Sequence, residues 1–434
     1  MDAVHDVRSF AHPPDEEDTM PRTLPFMMQR PVATSNPSRT RRAALGAALL
    51  LWAVAGVAQD FNARAPNAAR QRPAFAGQTR APVIDAGVQL RTQVLARGLV
   101  HPWGMAELPG GSWLVTERPG RLRRIAADGA VSPPISGLPA VDARGQGGLL
   151  DVAVHADFAQ TRQLWWSYAE PRGGGKNATA VATGVLSEDG SALEQVRVIF
   201  RQNPAWDSTY HFGSRLVFDR EGMLFVTTGE RSDRRARPLA QDVTSHLGKV
   251  LRIDPQSGAA APGNPGIHGG VPEIWSYGHR NVQSAALDAQ GRLWIVEHGA
   301  RGGDELNQPR AGRNYGWPVI SYGEEYSGLA IGQGLTARDG MEQPVYYWDP
   351  VIAPSGMAFY QGALFPGWQG DVLIGGLAGQ ALVRLTLADG RVSGEARYLQ
   401  GQGRVRDVAV AFDGAVMLLT DAEDGALIRV TPMD

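Results

Sequence analysis

Residues 210–233 read YHFGSRLVFDREGMLFVTTGERSD, and the middle of that stretch decides the fold. Leu216-Val217-Phe218 and residues 223–228 are two short apolar runs rich in β-formers, and the Asp219-Arg220-Glu221-Gly222 turn between them makes a hairpin. His211 then stands just ahead of the first strand, at a sheet edge, where loops carry function. Similar strand-turn-strand units recur as MAELPGGSWLVTERPGRLRRI, ALDAQGRLWIVEHGARGGD and AVAFDGAVMLLTDAEDGALIRV. Each leads an apolar strand into a turn of Asp or Pro with Gly, then into a second apolar strand ending in Thr, Glu, His or Asp. Their spacing is uneven, so less regular units or insertions lie between them. No helical period runs through the region. Radially repeated four-stranded sheets, a β-propeller, accommodate this pattern better than a sandwich.

Composition agrees. The chain of 434 residues has 43% hydrophobic content and a formal net charge of -2, enough for a full core and without the basic excess of a nucleic-acid binder. Gly (53) and Pro (29) are abundant, as turn-rich β proteins require. Cysteine is absent, which excludes disulfides, thiolate catalysis and zinc-cysteine sites. Residues 1–58 read as an N-terminal extension and export signal: the basic RTRR at 39–42 precedes the apolar run 43–58, which ends on the small residues Gly56-Val57-Ala58. Initiation at Met20, Met27 or Met28 would give a more usual leader. The expected location is periplasmic or secreted. Residues 59–82, rich in Ala, Arg, Pro and Asn without periodicity, read as a flexible linker, and 83–434 as the propeller domain.

Six segments carry polar clusters: GQGGLLDVAVHADF (145–158), YHFGSRL (210–216), SYGHRNVQ (276–283), EHGARGGDELN (297–307), GRNYGWP (312–318) and GRVRDVAV (403–410). Together and in this order they resemble the soluble, pyrroloquinoline-quinone (PQQ)-dependent aldose sugar dehydrogenases of the glucose/sorbosone dehydrogenase family. The resemblance implies an all-β, six-bladed β-propeller with four-stranded antiparallel blades, holding PQQ with Ca2+ over the mouth of the channel. It also implies an aldose substrate, oxidised at the anomeric C-OH to a lactone, and an external electron acceptor such as a quinone, cytochrome or dye. A monomer or a homodimer is expected.

The chemistry is consistent with the residue types. Oxidising C-OH to C=O removes a proton from oxygen and a hydride from carbon, and no side chain accepts a hydride, so a bound organic cofactor is required. PQQ carries three carboxylates and needs arginines, amides and a cation around it. By resemblance, His211 is the general base and Arg280 contacts the reactive quinone oxygens, while Gln146, Asn281, Asp304, Tyr326, Leu377, Arg404 and Arg406 border the cofactor. Taken singly, His211 could as well be a loop histidine and Arg280 a surface ion-pair partner. Arg404 and Arg406 alternate along a strand and share a face, so an anion must lie between them: a cofactor carboxylate, Asp407, or another acid. The carbonyls of Gly299, Ala300 and Tyr315 and the side chain of Glu305 are the implied calcium ligands.

One position departs from the family pattern: Leu377 is followed by Ala378 where many members carry a lysine. Arg384 and Arg397 are candidates to replace its charge. No glycine-rich dinucleotide turn follows a strand, so NAD is not expected. Two rival readings remain open on sequence: a calcium-dependent propeller lactonase, and a non-catalytic propeller that binds glycan or protein.

Overall fold

The computed structural model describes residues 61–84 and 87–433; the expected export signal lies outside them. Six antiparallel sheets follow one another along the chain. Their innermost strands are Pro102–Leu108, Leu149–Val154, Gly213–Phe218, Val282–Leu287, Pro354–Phe359 and Val405–Val410. Five sheets have four strands. The first has three, and residues 131–136 take the fourth place through isolated bridges of Val131 to Ile125 and Ile135 to Leu122. Pro133 and Pro134 sit in that segment and have no N–H to extend a ladder.

Hydrogen bonds pass from each blade to the next around the central channel. Thr116 Oγ1 donates to Leu150 O, Leu216 N to Asp151 Oδ2 (2.7 Å), Thr227 Oγ1 to Val282 O (3.1 Å) and Met357 N to Ser284 Oγ (2.8 Å). Ser355 Oγ donates to Val405 O (2.6 Å), and Met105 N to Asp407 Oδ2 (3.0 Å) closes the circle from first blade to sixth. The outermost strand of the sixth blade is the N-terminal Leu90–Leu99, paired with the C-terminal Gly425–Pro432. The ring is therefore a six-bladed propeller fastened by the two ends of the domain.

Blade faces pack on one another, so the apolar cores lie between neighbours: Trp166 and Leu164 of the second blade meet Leu114 and Leu122 of the first, and Trp294 and Val296 meet Met357 and Ile374. The second strands, such as Leu224–Thr228 and Leu293–Glu297, are buried along their whole length and read as continuous apolar runs. At the rim, Leu90–Leu99 alternates in burial only over its first four residues, and register shifts interrupt its pairing beyond Val94. The hairpin expected at 216–228 forms, with Leu224 opposite Phe218. Asp219 makes its turn: Oδ1 accepts from the N–H groups of Glu221 (2.8 Å) and Met223 (2.9 Å), and Gly222 takes φ 78.

Residues 61–82 differ from the flexible linker expected of them. They form a strap against the fourth and fifth blades, with Phe61, Ala68, Gln78 and Ala81 buried. Their composition correctly signals a lack of regular structure, which is limited to the 3-10 turn Phe61–Ala63. Side-chain and backbone hydrogen bonds to the propeller, invisible to periodicity, hold them in place.

Candidate active site

The inner strands all begin at the same end of the channel, and the residues just before or at those starts form the site. His211 lies two residues ahead of Gly213–Phe218 with its backbone at φ 48, a region that a histidine occupies only when its surroundings impose it. Gly229 makes room for it, since a β-carbon there would stand 2.1 Å from the His211 carbonyl oxygen. The imidazole Nδ1 is 2.7 Å from Oε1 of Glu230, and both side chains are buried. A proton on Nδ1 shared with that carboxylate leaves the Nε2 lone pair as the basic atom.

From His211 a hydrogen-bonded chain crosses four blades. Its N–H donates to Gln146 Oε1 (2.9 Å), on a glycine-flanked loop whose Gln146 N–H bonds Thr209 O at 2.8 Å. Asn281 Oδ1 accepts from Gly213 N (3.2 Å) and from Gln283 Nε2 (3.3 Å). Gln283 Oε1 accepts from Arg406 Nη1 (3.3 Å), and Arg406 Nη2 donates to Asp421 Oδ2 (2.6 Å). Arg404 stands 3.5 Å from the same carboxylate, whose other oxygen is 3.0 Å from His101 Nδ1. The anion between the two arginines is thus Asp421. Asp407 instead meets Arg215 deeper in the channel at 3.0 Å. Burial raises the pKa of Asp421, but Arg406, His101 and Arg404 outweigh it and hold the group well below the usual carboxylate range. One carboxylate between two guanidinium groups leaves a positive excess, and the buried Arg406 Nε has no hydrogen-bond partner among the described residues.

Arg280 is buried beside this chain. Its main-chain N–H donates to Glu297 Oε2 (2.7 Å), its guanidinium Nη1 to His298 O (3.3 Å), and its charge stands 5.2 Å from the centre of the Trp317 ring. Glu230 N bonds the Arg280 carbonyl at 2.9 Å, joining the general-base candidate to the arginine candidate.

A second grouping surrounds Asp304. Its Oδ1 accepts from Gly299 N (2.8 Å) and its Oδ2 from Ile352 N (2.8 Å) and Ala353 N (2.7 Å). Leu377 N and Ala378 N bond the carbonyls of Ala353 and Ile352 at 3.0 and 3.1 Å, so the Gly299-Ala300 turn, Asp304 and the Leu377-Ala378 pair are one unit. Burial raises the Asp304 pKa, while His298 and the three amides oppose the shift. Glu305, the next residue on the strand, faces the other way, with its Oε2 accepting from Asn307 Nδ2 at 2.9 Å. Burial, then the charge of Glu297, pushes its carboxyl well above the usual range. Tyr315 stacks on His279, whose Nδ1 lies 2.9 Å from Glu297 Oε1, and Asn307 Nδ2 donates to both Glu297 Oε1 (3.1 Å) and Glu305 Oε2. Among the described residues no group of three or more His, Cys, Asp and Glu is arranged to hold a metal ion. Tyr326 is exposed on the 321–328 loop. Arg384 and Arg397 do not replace the absent lysine: the first pairs with Asp371 at 2.6 Å and the second with Glu395 at 2.7 Å.

Sequence reasoning missed Glu230, Glu297 and Asp421. All three stand at or just beyond the end of a second blade strand, at the place where the repeats share a terminal acid. Glu117 of the first blade holds the same place and accepts from Val100 N at 2.6 Å. In each case the acid reaches back to residues at the start of an inner strand. The recurrence was readable; its purpose was not.

The sequence pattern of the family described as Glucose / Sorbosone dehydrogenase matches residues 99–429. Over 353 residues the chain is 44% identical to aldose sugar dehydrogenase YliI of Escherichia coli K12, covering 80% of this chain and 94% of that protein. A crystal structure of a glucose dehydrogenase is 48% identical, with a TM-score of 0.75 and coverage of 78% and 99%. The PQQ-bound form of an aldose sugar dehydrogenase from Streptomyces coelicolor is 31% identical, with a TM-score of 0.65 and coverage of 79% and 99%. A family match over most of the propeller, together with close relatives spanning its length, shows that this chain belongs to the glucose/sorbosone dehydrogenase family.

Proposed function

We propose that the protein oxidises aldose sugars at the anomeric C-OH to lactones, using PQQ and calcium at the channel mouth, with His211 as general base. The observation that carries this reading is the buried His211–Glu230 pair, set in the same hydrogen-bonded chain as Gln146, Asn281 and Arg406 and joined through Glu230 to Arg280. The donor set suits a planar tricarboxylate: Gln146 and Asn281 offer amides, Arg280 a guanidinium, and Arg404 with Arg406 a positive excess over Asp421. When bound, PQQ supplies the hydride acceptor that side chains lack, and calcium withdraws charge from it.

The residues of the chain do the remainder. Nε2 of His211 takes the hydroxyl proton as the C–H electron pair departs, so the substrate loses one proton and one hydride. Glu230 keeps Nδ1 protonated and balances the imidazolium that forms. Arg280 places a fixed positive charge where negative charge develops. Asp304 fixes the Gly299-Ala300 turn, whose carbonyls with Glu305 and Tyr315 are the proposed calcium ligands, and Tyr326 and Leu377 border the cofactor. An external acceptor, a quinone, cytochrome or dye, takes the electrons onward. Export to the periplasm or beyond follows from the signal read at 39–58; among the described residues no helix is long and apolar enough to cross a membrane.

The test is reconstitution. Purified without cofactor, the protein gains dye-linked aldose oxidation only when PQQ and calcium are both added; activity with NAD alone, or lactone hydrolysis in place of sugar oxidation, overturns the reading.

A further inference from the structure

The strap is tied to the site through Asp349 and Val351. Its Asn67 and Ala68 N–H groups donate to the two carboxylate oxygens of Asp349, and Asn67 Oδ1 accepts from Val351 N at 3.0 Å. Val351 precedes Ile352 and Ala353, whose amides grip Asp304 and through it Gly299. Ala68 also packs against the Gly299–Gly303 turn, since a β-carbon at Gly302 would lie 3.2 Å from that of Ala68. Two residues on, the strap takes hold of the neighbouring loop. Arg70 Nη2 donates to Gly328 O (3.2 Å), Gln71 Nε2 to Gly323 O (3.3 Å), and the buried Gln78 accepts from the Tyr322 hydroxyl (3.0 Å). That loop carries Tyr326, and its Glu324 exchanges backbone hydrogen bonds of 3.0 Å with Arg301 of the turn.

We infer that residues 67–78 are a positioning strap that fixes the Gly299–Asp304 turn and the 321–328 loop relative to each other, and thereby presets the calcium and cofactor side of the pocket. The inference rests on the functional reading above for what that pocket holds. Loops of this kind have few apolar contacts of their own, so their local opening is governed by the hydrogen bonds that tie them down. The strap's bonds to Asp349, Val351, Tyr322, Gly323 and Gly328 all end on loop residues outside the blade ladders. Preorganisation of carbonyl ligands matters for calcium because each carbonyl left mobile must be ordered on binding.

The experiment uses the full-length protein without cofactor, carrying Asn67→Ala with Gln71→Ala, and follows amide hydrogen exchange. Exchange is expected to quicken by on the order of tenfold at residues 299–304, 321–328 and 351–353, with the inner strand Leu149–Val154 unchanged. In the same variant the calcium concentration for half-saturation, read by calorimetry, rises several-fold. Gln71→Ala alone, which leaves the bond from Val351 N to Asn67 Oδ1 intact, should quicken only 321–328. Unchanged exchange in these loops, acceleration spread evenly over all six blades, or quickened exchange with unaltered calcium affinity each overturns the proposal. A parent protein that binds no calcium at all sinks the functional reading, while the exchange pattern still decides whether the strap positions the loops.

Discussion

His211 and Glu230 divide one task. In the proposed reaction the imidazole takes the proton through Nε2, and the carboxylate 2.7 Å from Nδ1 holds the ring in that tautomer. His211→Gln keeps much of the side-chain bulk and its backbone bond to Gln146, so cofactor affinity should hold while turnover falls by about 100- to 10,000-fold, the usual range for general-base catalysis. Glu230→Gln removes the charge that balances imidazolium and no longer dictates the tautomer, so a loss of up to about 10,000-fold is expected in kcat. Stopped-flow reduction of the bound cofactor measures both; loss of cofactor binding at a normal reduction rate in His211→Gln would make the histidine a pocket wall. Ala378 tests the opposite direction. It is exposed beside the Ile352-Ala353 backbone that grips Asp304, and neither Arg384 nor Arg397 supplies the charge that a lysine would bring. Ala378→Lys should therefore tighten PQQ binding by about 1 kcal/mol, as a partly exposed charge pair does. A titration showing equal or weaker affinity would mean that the remaining cations already suffice.

The inner strands do more than line a channel. Asp151, Arg215 and Asp407 come from the second, third and sixth blades and meet in its interior, with Arg215 3.0 Å from each carboxylate and 4.7 Å from the centre of the Trp103 ring. Two carboxylates and one guanidinium leave a surplus negative charge; burial, with Asp407 adding to it against the pull of Arg215, pushes Asp151 up to about 7. The folded chain therefore holds a proton that the unfolded chain has released, over the window from about pH 4 to that value, and stability falls as pH rises through it. Denaturant unfolding from pH 4.5 to 7.5 should show that decline in the parent and a flatter profile in Asp151→Asn; parallel profiles would show that Asp151 is ionised throughout. These strands also show what sequence conveys. The 216–228 hairpin was legible because the Asp219 turn and its glycine are local chemistry, and the candidate residues were legible through short motifs at inner-strand starts. Asp421 was not, because Arg406 reaches it only through the pairing of Val405–Val410 with Val416–Thr420, and His101 only through ring closure across 320 positions. The strap was misread for the same reason: Asn67 finds Asp349 across 282 positions of chain.

At the scale of the molecule, six blades share six interfaces, and the sixth blade is assembled from both ends of the domain. Leu427, fully buried on the closing strand among Leu99, Met417 and Val115, belongs to the cluster that joins the sixth blade to the first. Leu427→Ala should lower the unfolding free energy by about 2–5 kcal/mol in a single cooperative transition, measured by denaturant titration; a separate early transition would mean that the closing blade unfolds independently of the ring. The same closure brings Arg404 and Arg406 of the last blade to the mouth that Gln146, His211 and Arg280 reach from earlier ones, so the pocket exists only in the completed ring. Whether that pocket is a PQQ sugar-oxidising site is the central claim, and the most direct measurement is the absorption spectrum of the purified protein after adding PQQ and calcium, then an aldose under anaerobic conditions. The account predicts a stoichiometric spectrum of bound oxidised cofactor that the sugar converts to the reduced form, with both changes abolished by omitting calcium. A cofactor spectrum that the protein does not perturb, or one that aldoses leave oxidised, would contradict it.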